Sequence, residues 1–137
     1  MYVDIKSIAF TQDGSHLALH KNERVEIWNV STSKLRTTIL PADIGSRISS
    51  VTVVQALSAI IIGGAGIAAL FDLDGNELQR FYHPRTKIDP INGQRDYWII
   101  SACVSYEDDL LITGSYQKIF VWEMDTCHLK FELSYKF

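Results

Sequence analysis

Val25-Glu26-Ile27-Trp28-Asn29 reads as a β-strand. Its β-branched and aromatic residues suit a pleated, half-buried surface. The outline returns twice, as Leu70-Phe71-Asp72 and as Val121-Trp122-Glu123. Each copy stands late in a block with one order of parts. Two apolar runs joined by a turn come first, the signature run follows, and a more polar run closes the block. In the first block these runs are 5–10, 17–19, 25–30 and 35–40. In the second they are 48–54, 59–62, 67–73 and 77–82. In the third they are 99–104, 110–113, 119–122 and 129–133. Turn chemistry separates them: Asp13-Gly14, Ser31-Thr32-Ser33, Gly63-Gly64-Ala65-Gly66 and Asp74-Gly75-Asn76 supply residues that tolerate tight or positive-φ backbone.

Helix is the competing assignment, and the spacing argues against it. No window of 11 or more residues sustains a 3.6-residue period. The expectation is an all-β chain of twelve short strands in three sets of four. The signature aromatics recur at 43 residues (Trp28 to Phe71) and 51 residues (Phe71 to Trp122). The first spacing matches a four-stranded propeller blade of roughly 40–45 residues. The excess in the second lies in the link between blocks two and three.

Composition sets the outer bounds. A chain of 137 residues with 47% hydrophobic and 21% charged residues suits one folded domain. A net charge of −3 gives no general pull toward nucleic acid or anionic membrane. Cys103 and Cys127 form no metal-binding or disulfide-rich pattern. The apolar stretch from Ala56 to Leu73 is interrupted by Ser58, Gly63, Gly64 and Gly66, so it predicts no membrane span. With no basic segment and apolar core after Met1, a cytoplasmic or nuclear setting is the expectation.

The chain resembles three divergent repeats of the WD40 β-propeller family. Residues 8–18 resemble that family's first hairpin, and Leu111-Ile112-Thr113-Gly114-Ser115 its second strand. Trp28-Asn29, Phe71-Asp72 and Trp122-Glu123 stand where the family has Trp-Asp. No Gly-His pair precedes any block, and Glu23 and Gln117 are the nearest occupants of the family's loop Asp. An incomplete buried hydrogen-bond network is therefore expected. The resemblance implies blades at about 1–40, 46–82 and 98–137, with an inserted link over 83–97. It also implies a non-enzymatic scaffold for protein partners in a multi-subunit assembly.

Three blades are too few to close a ring, since propellers have about 4–8. In a stack of blades both faces of a sheet are covered, so strands read as unbroken apolar runs. Residues 59–62 and 67–71 do so, and so does Ile119-Phe120-Val121-Trp122 in the last block. The terminal sheets thus call for further blades. A second copy could close a six-bladed ring, another chain could donate blades, or the sequence could belong to a longer protein.

The link 83–97 and the loops on its end of the blades are the expected partner surface. Candidate contact residues are Arg47, His83, Arg85, Lys87, Arg95, Tyr97, Trp98 and Tyr116. Long loops and aromatic anchors favour binding. The other reading is a tolerated insertion with Trp98 tucked into the core. The basic residues leave open a phosphate, phosphoinositide-headgroup or phosphopeptide reader, although the paired arginines of lipid-binding propellers are absent. A propeller enzyme with a central pocket is a third reading, for which Asp4 and Asp96 are poor catalytic candidates. No catalytic residue, metal ligand, cofactor or nucleic-acid site is expected. Asp72-Leu73-Asp74-Gly75-Asn76-Glu77 lacks the spacing of a calcium loop. His16 and His20, roughly 13 Å apart on an extended strand, cannot share one metal. Cys103 is expected to be a small core residue.

Overall fold

The structure is a computed structural model that describes residues 5–21, 23–54, 58–83, 101–105, 109–115 and 118–134. It contains twelve strands: β1 (Ile5–Phe10), β2 (His16–Lys21), β3 (Arg24–Asn29), β4 (Lys34–Ile39), β5 (Ser50–Val54), β6 (Ala59–Gly63), β7 (Ile67–Asp72), β8 (Glu77–Tyr82), β9 (Ser101–Val104), β10 (Leu110–Gly114), β11 (Lys118–Glu123) and β12 (Leu129–Ser134). They form three four-stranded sheets, each an antiparallel meander in chain order. This is the all-β, three-blade architecture that the repeated runs predict.

Local chemistry explains the hairpins. In the β1–β2 turn, Asp13 Oδ1 accepts from Ser15 N (2.9 Å), Ser15 Oγ (2.7 Å) and Thr11 Oγ1 (2.8 Å). These bonds hold the Asp13 carboxyl down at about 2, the bond from the Ser15 backbone contributing most. Each β3–β4-type pair also slips register at one place, between Ile27 and Trp28, Leu70 and Phe71, and Val121 and Trp122. A bulge there bends the outer strand of the blade beside its signature aromatic.

The three sheets stack in sequence order, with β1, β5 and β9 as neighbours along one inner edge. Two apolar cores fill the gaps. Ile27, Ile39, Ile44, Ile60, Ile62 and Phe71 pack between blades one and two. Ile61, Leu70, Phe81, Leu111, Phe120 and Trp122 pack between blades two and three. Alternation along β6 therefore sends Ile60 and Ile62 one way and Ile61 the other. All three are fully buried. Each such burial contributes about 1.5–3 kcal/mol, which is why the middle blade has no polar side.

Polar ties cross both gaps. Arg36 pairs with Asp74 (Nη2–Oδ1 2.7 Å) across the first. Thr52 Oγ1 donates to Ala102 O (3.0 Å) and Gln79 Nε2 to Met124 O (2.5 Å) across the second. The Arg36 pair is largely exposed and contributes at most about 1 kcal/mol, so apolar packing dominates. Gly75 adopts φ 87°. A Cβ there would come within 2.9 Å of Thr37 Oγ1, so glycine lets this turn lie against blade one.

Two local details differ from the sequence expectation. The link after β4 contains a short helix, α1 (Pro41–Ile44). Pro41 pre-sets the first turn, Asp43 Oδ2 accepts from Leu40 N (2.7 Å), and Gly45 ends it with φ 71°. The turn exists to seat Ile44, which is fully buried in the first core. Cys103 is exposed rather than a core residue. It pairs with Ile112, which pairs with Val121, so it lies on the side of blade three that no sheet among the described residues covers.

Candidate partner-binding surfaces

The signature pairs have two jobs, seen best in blade three. Trp122 is 2% exposed and donates through Nε1 to Thr113 Oγ1 (3.1 Å). His83 Nε2 lies 2.9 Å from the same oxygen. The His83 ring stands edge-on to Phe120 and Trp122, with centroids 4.4 and 5.1 Å away. A buried His–Thr–Trp network is thus present in blade three despite the missing Gly-His pair. The acidic or amide partner in each signature organises the turn that follows. Asn29 Oδ1 accepts from Thr32 N (3.1 Å). Asp72 Oδ1 accepts from Asn76 N (2.8 Å), and the bond holds its carboxyl below the usual range. Glu123 Oε2 accepts from Thr126 Oγ1 (3.3 Å).

His83 is therefore not a partner contact of the kind its sequence position suggested. It is 3% exposed. His83 N donates to Gly66 O (2.9 Å), extending the β7–β8 ladder by one pair. That extension places His83 on the same side as Phe81, two residues back, and the alternation of β8 was the available signal.

Burial holds the His83 imidazole down at about 4, so it is neutral at pH 7. Unfolded, it takes a proton near 6.5. The unfolded chain therefore binds more protons as pH falls, and stability is lost progressively from about pH 6.5 down to about pH 4. Urea unfolding at pH 7 and pH 4 is expected to differ by roughly 3 kcal/mol from this group, and His83→Gln should remove most of that slope.

The remaining loop candidates divide in two. Arg47 is exposed, and its Nη2 lies 2.6 Å from Glu23 Oε1. Ser46 Oγ accepts from Ala65 N (2.8 Å). The first inter-blade link thus meets the β2–β3 and β6–β7 loops on one end of the stack. An open cleft of about 420 Å³ lies here, lined by Glu23, Arg24, Leu40 and Pro41. Arg85, Lys87, Arg95, Tyr97, Trp98 and Tyr116 lie outside the described residues, as does the rest of the inserted link.

A further pair of surfaces emerges from the packing. In blades two and three the signature aromatic faces the preceding blade. Among the described residues no blade precedes Trp28, and its side of blade one is open. Trp28 pairs with Leu17 and Leu35, and Leu17 with Phe10. Phe10 is 56% and Leu35 46% exposed. Glu26 shares this side; it takes a hydrogen bond from Trp28 Nε1 (3.1 Å) and lies 3.1 Å from Arg24 Nε. Blade three is open on its other side, where Val121 pairs with Phe131 and Ile119 with Leu133. Phe131 is 48% and Leu133 49% exposed.

Meander sheets stacked about a common inner edge, each bearing its aromatic on the same side, define a partial β-propeller with WD40-like blades. No family model matches the sequence, and no curated protein matches it. Among solved structures 549 chains match, so the fold is common although the sequence is divergent. One is the crystal structure of the Cps50 (Swd1) β-propeller domain of Myceliophteria thermophila, with a TM-score of 0.71 and 16% identity. The match covers 96% of this chain and 43% of that one. This chain thus spans less than half the length of the propeller it resembles. At that identity the likeness establishes the fold.

Among the described residues, no group of three or more His, Cys, Asp or Glu could hold a metal ion. No helix among them is long and apolar enough to cross a membrane.

Proposed function

We propose that this chain is a non-enzymatic scaffold module that completes a propeller with further blades and presents its loop end to a protein partner. The observation that carries this reading is the pair of open apolar faces, one on blade one and one on blade three. Soluble monomers rarely leave large apolar patches in water. The internal junctions show what covers such a face: the next sheet of the same kind. The Trp28 side of one arc and the Phe131 side of another are the two halves of such a junction. Two copies would close a six-bladed ring by a two-fold. The loop end, with Arg47, remains accessible in any such ring. A cytoplasmic or nuclear setting goes with this reading.

The mass of the purified chain in solution tests it. A species of twice 15.5 kDa is the result expected for self-closure. Solubility that requires a co-expressed second protein would assign the extra blades to that protein. A monodisperse 15.5 kDa species with both faces open to water would overturn the reading.

A further inference from the structure

The cleft of about 420 Å³ at the loop end of blade one, lined by Glu23, Arg24, Leu40 and Pro41, opens on the uncovered side of the sheet. Val25 and Ile39 point into the first core. Arg24, one position before Val25, and Leu40, on extended backbone one position after Ile39, therefore point the other way. Leu40 is 48% exposed, and the Arg24 side chain 42%. Two aliphatic side chains beside an accessible guanidinium suit an aromatic ring.

The two internal junctions show what crosses such a corner: the segment that leaves the outer strand of one blade. After β4, Ile44 is buried in the first core, and the Arg80 guanidinium of blade two donates to Asp43 O (3.0 Å) and Ile44 O (3.1 Å). After β8, the His83 ring stands against Phe120 of blade three, with centroids 4.4 Å apart. The outer strand of blade three holds the same register. Leu133 pairs with Ile119 as Ile39 pairs with Val25 and Phe81 with Ala68. The sequence continues past Ser134 with Tyr135-Lys136-Phe137, which lie outside the described residues. In sequence they prolong the alternation of Leu129, Phe131 and Leu133 with Lys130, Glu132 and Ser134. Three extended residues span roughly 10 Å, the distance between packed sheets.

We propose that Tyr135-Lys136-Phe137 of a second copy crosses the ring-closing junction and seats the Phe137 ring in this cleft, against Leu40 and the Arg24 guanidinium. The inference rests on the closed ring of two copies, and it adds a contact beyond the sheet faces. The segment does for that junction what residues 41–44 do for the first. It also explains why an exposed Leu40 sits beside an arginine on the one corner of blade one that faces away from blade two.

The test is photo-crosslinking in the full chain, with p-benzoylphenylalanine placed at position 137 and an isotope-labelled copy mixed in. The expected result is a cross-link between unlabelled and labelled copies that maps to the peptides carrying Arg24 or Leu40. In a light-scattering dilution series, Phe137→Ala should weaken association by about tenfold, and Leu40→Ser by a similar factor. The two changes should be non-additive: with the contact already lost, the double variant falls short of the product of the single effects. An assembly whose cross-links stay within one copy or map elsewhere, or in which the two changes multiply, would overturn the proposal and leave the closed ring standing. A chain that stays at 15.5 kDa at every concentration would overturn both.

Discussion

Trp122→Ala is expected to destabilise the chain by about 3–5 kcal/mol, the range for removing a buried Trp or Phe ring. Three losses add up at this position. The indole is 2% exposed and fills the second core. It meets Phe81 edge-on, with centroids 5.8 Å apart. It also donates to Thr113 Oγ1, whose oxygen is shared with His83. The loss is a large part of a typical domain stability of about 5–15 kcal/mol. Urea denaturation should show a lower midpoint. Trp122→Phe should retain most of the packing and lose the hydrogen bond, for about 1–2 kcal/mol. Equal stability of Trp122→Ala and the parent would mean that blades two and three are not joined as described.

Phe131→Asp should act on assembly instead. Phe131 is half exposed on the open side of blade three, beside Val121. In the isolated arc the substitution stays in water and should change stability by no more than about 0.5 kcal/mol. In a closed ring the carboxylate would be buried in a largely apolar junction, at a cost of several kcal/mol. Association should weaken by more than about a hundredfold, visible by light scattering as a fall in mass across a dilution series. Lys130→Ala, at the exposed neighbouring position, removes no apolar side chain and should leave the mass as it was. A Phe131→Asp chain that assembles as the parent does would remove blade three's open face from the interface.

The architecture was legible because it is written in short-range terms. Strand length, turn residues and the returning aromatic each sit within a few positions, and β1 and β8 have the predicted limits. What escaped was non-local. Four residues of α1 are too few to show a period, and Pro41 reads as a breaker. Ile48 looks like the start of a strand. The strand begins at Ser50. Cys103 sits among apolar neighbours in sequence, but nothing local says that its side of the sheet has no cover. His83 was read with the link because its partner Thr113 is 30 residues away.

The direction in which the signature aromatics point has one more consequence. Every blade looks back toward its predecessor, so the arc has a head and a tail that are not interchangeable. Heads cannot join heads, and copies can only queue in single file. Such a queue stops growing when its last head reaches its first tail. Two copies achieve this when each blade turns the line by roughly 60°. A mismatched turn leaves a loose end that continues to recruit, and the product is a spiral filament. The wedge shape of one sheet thus decides between a molecule of fixed size and a polymer.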